Sequence, residues 1–241
     1  MGKVKVLIAA AGRGSRAGLP YPKTLFQVHG RPILIHLMEL MLPYDNKPTI
    51  IVSPSGLKPI QKCLSHYGFQ AELLVQSNPR GMGDAVLCFE ESDDSADTKD
   101  ILLVWGDIPF IQKNTVKSLV KYYFDMKNDF TFVTKKVDLA YTLISRNQKN
   151  KVLQVIESRE EGFLPQSGER DIGLFMFNKN VVFDLLKKDL GGKYGKKTRE
   201  HGFLYIIKHM VAQDYNVDAL PIATNSDLIS LNSLEDLSDY L

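Results

Sequence analysis

The sequence predicts an α/β protein with a mostly parallel β-sheet packed between helices. Short apolar segments rich in β-branched residues alternate with helical segments over residues 4–134, an order typical of βαβ units. The first apolar segment, residues 4–10, suits a strand that is buried on both faces. A glycine-rich stretch follows it at once, and open α/β sheets bind ligands at the carboxyl ends of their strands. We therefore expect a ligand-binding loop directly after the first strand.

The other elements of the first half follow from apolar periodicity and from the turn residues between them. Pro32 stands at the first position of a predicted helix, where proline is favoured, and the Ser-Pro-Ser-Gly run at 53–56 is a turn. In chain order we predict an extended segment at 25–28, a helix at 32–42, a strand at 49–52, a helix at 58–65, strands at 71–75 and 101–105, a helix at 115–127 and a strand at 130–134.

After residue 135 the pattern changes from helix–strand units to successive strands. This change indicates a small β-rich subdomain that receives a second substrate. The predicted elements are strands at 140–146, 151–158 and 170–178, helices at 181–188 and 203–213, a strand at 217–220 and a final helix from residue 233. We interpret the basic run within residues 187–199 as a solvated charged face; the alternative is that it contacts a phosphate of a ligand or partner.

The composition is that of an ordinary globular protein. The 241 residues fit one large domain, and 30 basic against 28 acidic residues leave a net charge of +2. This balance gives no charge argument for nucleic acid or an anionic membrane. The apolar run near the N-terminus is too short for a signal peptide, and no run approaches the roughly 20 residues of a membrane span. Because Cys63 and Cys88 are isolated and suit a reducing compartment, we expect a cytoplasmic protein.

The stretch Ala9–Arg16 has the features of a phosphate-binding loop. Gly12 and Gly14 lack a Cβ, so backbone N–H groups can approach an anion closely. Arg16 and Lys23 add positive charge, and a proline restricts the backbone just before the lysine. These features suit a nucleoside triphosphate. The alternative is a plain glycine-rich turn, since neither P-loop nor dinucleotide-binding spacing is present.

A second glycine-containing loop follows the predicted strand at 71–75. It begins at Gln76 and carries Gly81 and Gly83 just before a helix, so its backbone can come close to a flat ligand such as a nucleobase. The alternative is a polar loop that only caps the helix.

Asp107 follows the apolar strand at 101–105, in the sequence Gly-Asp-Ile-Pro. A carboxylate at the end of a buried strand is costly unless a cation meets it, and Mg²⁺ prefers oxygen ligands of this kind. The alternative is that Asp107 caps the helix near residues 114–126.

Together these stretches resemble the sugar-1-phosphate nucleotidyltransferases, also called NDP-sugar pyrophosphorylases. Ala-Ala-Gly-x-Gly-x-Arg with Pro-Lys at 22–23 is similar to the family signature, and Gln76–Val86 is similar to a segment of the N-acetylglucosamine-1-phosphate uridylyltransferases. The resemblance covers nearly the whole chain. It implies a three-layer, Rossmann-like nucleotidyltransferase fold and Mg²⁺ as cofactor. The implied partners are an NTP and a phosphorylated sugar or alcohol, without nucleic acid or membrane.

The resemblance also implies roles for individual residues. Arg16 and Lys23 correspond to catalytic residues, and Glu157 and Asp171 to acceptor contacts. The implied nucleotide-binding residues are Ala9, Ala10, Ala11, Gly12, Gly14, Ser15, Gln76, Gly81, Met82, Gly106 and Asp107.

The implied metal ligands are Asp107 and Asn232, which lies just before the predicted final helix. For Asn232 the alternative is an ordinary helix cap, although Ser233 and Asp236 already form a capping box. The family pattern treats residues 1–241 as a single domain, with a nucleotide-binding half at 1–135 and an acceptor-binding half at 136–241. We expect no acetyltransferase domain after Leu241.

The sequence departs from the family at several of these positions. Met82 and Asp84 stand where the uridylyltransferases have threonine and histidine. In the acceptor half, Tyr141–Leu143 lacks two glycines and Asp171 replaces an asparagine. These acceptor changes argue against N-acetylglucosamine-1-phosphate and favour another phosphorylated sugar or alcohol.

The predicted reaction transfers a nucleotidyl group from an NTP, with UTP as the first choice, to a sugar-1-phosphate or similar acceptor and releases pyrophosphate. The second pKa of a phosphomonoester is about 6, so the attacking oxygen is ionised at neutral pH and needs no general base. The alternatives are a cytidylyltransferase for a phosphorylated alcohol and a non-catalytic nucleotide-binding regulatory protein. A glycosyltransferase fits less well, because residues 106–109 contain no Asp-x-Asp.

Overall fold

The structure, a computed structural model, describes residues 4–12, 18–78, 80–162 and 164–231. The strands of this part of the chain are β1 (Val4–Ala10), β2 (Gln27–Val28), β3 (Arg31–Pro32), β4 (Thr49–Val52), β5 (Glu72–Val75), β6 (Asp100–Trp105), β7 (Phe130–Ala140), β8 (Thr142–Arg146), β9 (Val152–Glu157), β10 (Gln166–Asn178) and β11 (Val217–Leu220). Its α-helices are α1 (Ile33–Met41), α2 (Leu57–Tyr67), α3 (Met82–Leu87), α4 (Lys113–Met126), α5 (Ser158–Glu161), α6 (Lys179–Lys187) and α7 (Ile206–Ala212). Single 3₁₀ turns cover Lys23–Leu25, Cys88–Glu91 and Ser226–Leu228.

Seven strands form the central sheet, in the order β11-β7-β10-β6-β1-β4-β5. Strands β6, β1, β4 and β5 pair in parallel, and β11 is parallel to β7. Strand β10 runs antiparallel to both of its neighbours, β6 and β7. The predicted mostly parallel sheet is therefore confirmed, with β10 as its antiparallel member.

Helices cover both faces of this sheet, as the three-layer prediction requires. Along β1, Val6 and Ile8 pack into one apolar cluster with α1, α2 and α4, while Leu7 packs into a second cluster with α3, α6 and α7. Successive side chains of a strand point to opposite faces, so both faces of β1 are buried. Within the described residues, no helix is long and apolar enough to cross a membrane.

Strand β10 differs most from the sequence prediction. It begins at Gln166 and lies inside the central sheet between β6 and β7, whereas the sequence indicated a shorter strand of the β-rich subdomain. Strand β7 is also longer than predicted and runs on to Ala140. The predicted β-ribbon is present as the antiparallel pair β8 and β9. The predicted helix from residue 233 lies outside the described residues.

Helix α4 is capped from a distant part of the chain. The carboxylate of Asp227, which is fully buried, accepts hydrogen bonds from the Gln112 backbone N–H at 2.7 Å and from the Thr115 hydroxyl at 3.1 Å. Asp107 makes neither of these contacts. These two contacts at the start of α4 are therefore made by Asp227, and a capping role for Asp107 stays a prediction.

Candidate active site

A cavity of about 530 Å³ lies at the carboxyl ends of β1 and β6 and extends to the β8–β9 ribbon. It brings together many residues that the sequence singled out. These are Ala9, Ala10, Ala11, Gly12, Lys23, Gln76, Gly81, Met82, Gly106, Asp107 and Glu157. Gly14, Ser15, Arg16 and Asn232 lie outside the described residues.

The ends of β1 and β6 are in close backbone contact at the cavity. The Gly106 N–H donates to the Ala9 carbonyl oxygen at 2.9 Å. A Cβ on Gly106 would lie 2.8 Å from that oxygen, which is closer than real Cβ contacts. Gly106 is thus required for Asp107 to follow β6 directly beside the loop that starts at Ala11.

Lys23 and Asp107 meet at this end of the cavity. The Lys23 Nζ lies 3.7 Å from an Asp107 carboxylate oxygen and donates a hydrogen bond to the Leu231 carbonyl oxygen. The Leu231 N–H donates in turn to the Asp107 carbonyl oxygen at 2.9 Å. Because Leu231 immediately precedes Asn232 in the chain, the backbone that leads to the predicted second metal ligand is anchored at Asp107.

The donor set at Asp107 fits a Mg²⁺ ion that arrives with a nucleotide. No group of three or more His, Cys, Asp or Glu side chains that could hold a metal occurs within the described ranges. Mg²⁺ usually binds through one or two carboxylates and completes its shell with substrate phosphates and water. A single carboxylate beside a candidate phosphate loop is therefore compatible with Mg²⁺, and the part of the chain that the structure describes contains no preformed all-protein metal cage.

At another part of the cavity wall, Gln76 is held by its own loop. The residue is 5% exposed, and its Nε2 donates to the Gly81 carbonyl oxygen at 3.1 Å and to an Asp84 carboxylate oxygen at 3.0 Å. The sequence pointed to Gln76 and Gly81 but assigned no role to Asp84.

His201 joins this loop to the last third of the chain, a contact that the sequence did not predict. The Gly83 N–H donates to the His201 carbonyl oxygen at 3.0 Å, and the His201 N–H donates to the Arg80 carbonyl oxygen at 2.5 Å. Burial of the ring lowers the pKa of His201, and the charge of Lys193 lowers it further. The ring is therefore neutral at physiological pH.

The predicted acceptor residues lie on β9 and β10. Glu157 lines the cavity, and burial raises the pKa of its carboxyl. Asp171 is almost fully buried and is not part of the described cavity wall. Its carboxylate accepts hydrogen bonds from the Thr142 hydroxyl at 2.6 Å and the Gly173 N–H at 3.0 Å. Thr142 does line the cavity, so Asp171 reaches the site through a residue that the sequence analysis did not select.

Residues 195–200 form a segment that is tied to α5 at the cavity mouth. The Glu160 carboxylate accepts hydrogen bonds from the backbone N–H groups of Lys197 and Thr198 and from the Thr198 hydroxyl. Lys196 lies 2.5 Å from a Glu161 carboxylate oxygen. The sequence predicted a solvated basic face here, but Lys196 and Thr198 also line the cavity.

Known proteins share both the sequence pattern and the fold. Residues 6–170 match the MobA-like NTP transferase domain. The bifunctional protein GlmU of Streptococcus mutans is 30% identical over 185 residues, which are 76% of this chain and 39% of that protein. GlmU of Alkaliphilus metalliredigens is 26% identical over 98% of this chain and 51% of its own length. The chain thus spans about half or less of these relatives.

Two solved structures are similar over 90% of this chain. One, from Bacillus anthracis, is described as a glucose-1-phosphate thymidylyltransferase and has a TM-score of 0.70, with 18% identity and 85% of its chain covered. The other is the inositol-1-phosphate CTP transferase of T. maritima, with a TM-score of 0.69, 16% identity and 84% coverage. At these identities the likeness establishes the nucleotidyltransferase fold. The match over residues 6–170 confirms the predicted relationship, and the chain belongs to the MobA-like NTP transferase domain family.

Proposed function

We propose that this protein transfers a nucleotidyl group from a nucleoside triphosphate, with UTP as the first candidate, to a phosphorylated sugar or related polyol and releases pyrophosphate. Family membership supports the reaction class. The observation that carries the proposal is one continuous cavity, which joins the Ala11–Gly12 backbone, the Lys23–Asp107 pair and Glu157. Two substrates that react by direct displacement must share one such enclosure.

The reaction needs alignment and charge neutralisation more than proton transfer. An ionised phosphate oxygen of the acceptor forms a bond to the α-phosphorus as the bond from that phosphorus to the pyrophosphate oxygen breaks. No proton has to leave the attacking oxygen at neutral pH. The ammonium group of Lys23 would stabilise negative charge on the phosphates, as would the predicted partner Arg16.

Asp107, together with Asn232, would hold a Mg²⁺ ion bound with the nucleotide. The ion would supply positive charge that neutralises the polyphosphate. Lys23 has a separate role in the proposal, because its Nζ bonds the Leu231 carbonyl and so keeps the chain before Asn232 close to Asp107.

Glu157 is the proposed contact for the acceptor. A carboxylate accepts hydrogen bonds strongly from hydroxyl groups, so a polyhydroxylated acceptor suits it. We propose that Asp171 orients the Thr142 hydroxyl beside it. In this scheme residues 1–135 bind the nucleotide and residues 136–241 bind the acceptor.

The test is pyrophosphate release across a matrix of four NTPs and a panel of phosphorylated sugars and alcohols, with Mg²⁺. We expect the greatest rate with UTP and a phosphorylated sugar or polyol. A greatest rate with CTP and a simple phosphorylated alcohol would identify the cytidylyltransferase alternative instead. NTP binding without release for any pair would favour the non-catalytic regulatory alternative.

A further inference from the structure

The Gln76 carboxamide has both of its protons committed inside its own loop. Its Nε2 carries two N–H donors, and these meet the Gly81 carbonyl oxygen at 3.1 Å and an Asp84 carboxylate oxygen at 3.0 Å. The side chain nevertheless lines the cavity. The carboxamide can therefore contact a ligand only through its oxygen, which accepts hydrogen bonds.

Asp84 allows only one of the two orientations of this amide. An ionised carboxylate is a hydrogen-bond acceptor only, so turning the amide over would place the Gln76 oxygen against acceptor oxygens of both Asp84 and Gly81. A hydrogen bond to a charged group is stronger than a neutral one, and its loss disfavours the reversed orientation by about tenfold or more. An asparagine at position 84 would not fix the orientation of the Gln76 amide, because its side chain can either donate or accept a hydrogen bond.

The loop cannot easily rearrange to relieve this constraint. A Cβ on Gly81 would lie 2.4 Å from the His201 carbonyl oxygen, and one on Gly83 would lie 2.2 Å from the Gly202 carbonyl oxygen. The backbones of these segments are therefore in direct contact. The His201 hydrogen bonds to Arg80 and Gly83 hold that contact in place.

We propose that Asp84 is a positioning residue that makes Gln76 an acceptor-only contact and thereby selects a nucleobase with a ring N–H, the imide edge of a uracil-type base. This inference rests on the proposed function and deepens it. In cytosine the corresponding ring nitrogen is itself an acceptor, and it would face the Gln76 oxygen unfavourably. A buried polar group left facing the wrong partner gives strong discrimination.

The first experiment uses the unaltered protein. Isothermal titration calorimetry with Mg²⁺ should give at least about tenfold tighter binding of UTP than of CTP, and of UTP than of 3-methyl-UTP, which lacks the ring N–H. Equal affinities for UTP and 3-methyl-UTP, or tighter binding of CTP, would overturn the inference.

The second experiment compares Asp84→Asn and Asp84→Ala with the control Glu91→Gln. The control removes a surface carboxylate near the same helix, because Glu91 is exposed. We expect the UTP-to-CTP affinity ratio to fall about tenfold in both Asp84 variants and to stay unchanged in the control. The acceptor KM should not change. A merely structural role would weaken both nucleotides equally and would overturn the proposal, as would an unchanged ratio.

The two experiments separate this inference from the function on which it rests. Absence of binding by any NTP to the unaltered protein would overturn both. NTP binding and pyrophosphate release with a base preference that does not depend on Asp84 would overturn this inference alone.

Discussion

Replacing Gly83 with alanine should weaken the contact between the loop at residues 76–84 and the segment at residues 200–203. The added Cβ would lie 2.2 Å from the Gly202 carbonyl oxygen, and ordinary contact begins at 3.4 Å, so one segment must move by about 1 Å. That movement breaks or weakens the two hydrogen bonds of the His201 backbone. Gly83 lies in α3, so alanine also brings a gain in helix propensity that opposes the loss.

The magnitudes decide the sign of the effect. Overpacking costs about 1–3 kcal/mol and each weakened hydrogen bond about 1 kcal/mol, whereas alanine in a helix gains about 1 kcal/mol over glycine. We expect a net loss of about 2–4 kcal/mol in the free energy of unfolding, which lowers the Tm by roughly 4–16 °C for a chain of this size.

The assay is urea unfolding, with amide hydrogen exchange to locate the change. Exchange should rise at residues 80–84 and 199–203 in Gly83→Ala. The matched control is Gly191→Ala, because Gly191 is exposed and an added Cβ there meets nothing within 4 Å; it should stay within about 0.5 kcal/mol of the unaltered protein. If Gly83→Ala were as stable as Gly191→Ala, the close packing of residues 200–203 on this loop would be refuted.

Four further predictions concern the site. Lys23→Met should lower kcat about 100-fold or more, because it removes a charge beside the proposed position of the polyphosphate, as measured by pyrophosphate release. Asp107→Asn should raise the Mg²⁺ concentration for half-maximal activity at least about tenfold, and EDTA should abolish the activity of the unaltered protein. Asp171→Asn should raise the acceptor KM several-fold and leave the NTP KM unchanged, since its contact is Thr142. His201→Gln should reduce the loss of Tm between pH 7.5 and 5.5, because the unfolded chain binds a proton in this range more readily than the buried ring, whose pKa is lowered.

Each of these four predictions has an outcome that would contradict it. Near-normal turnover of Lys23→Met would remove the lysine from the mechanism, and full activity in EDTA would end the metal hypothesis. For Asp171→Asn, a rise confined to the NTP KM would mean that the acceptor pocket is elsewhere. An unchanged pH dependence in His201→Gln would show that another group governs acid stability in this range.

Local signals explain why the sequence predicted that residues after β1 and after β6 lie in one site. The apolar run of β1, the glycine after it and the Gly-Asp pair after β6 are short patterns whose place in a parallel sheet follows from topology. Since carboxyl ends of parallel strands meet at one edge, Gly12 and Asp107 were expected to lie near each other. Both line the same cavity.

Long-range contacts explain what the sequence could not supply. The His201 backbone forms hydrogen bonds with Arg80 and Gly83, more than a hundred residues earlier in the chain. No periodic pattern in either segment predicts this contact. The sequence also did not predict the hydrogen bond between Gln76 and Asp84. It showed Asp84 only as a position that differs from the family pattern. Strand β10 was recognised as a strand, but its antiparallel place inside the sheet depends on pairing with β6 and β7.

The place of β10 has a consequence for the order in which the protein is made. Strands β6 and β7 leave the ribosome before β10, yet neither is paired with the other, and only β10 joins them. Until residues 166–178 emerge, the central sheet of the nascent chain consists of β6, β1, β4 and β5, with β6 as an unpaired hydrophobic edge. Strand β7 then has neither of its neighbours in that sheet, because β11 follows β10 in the chain. Exposed strand edges recruit other chains. Synthesis that pauses before residue 166 should therefore leave a product that depends on chaperones, and fragments ending there should aggregate.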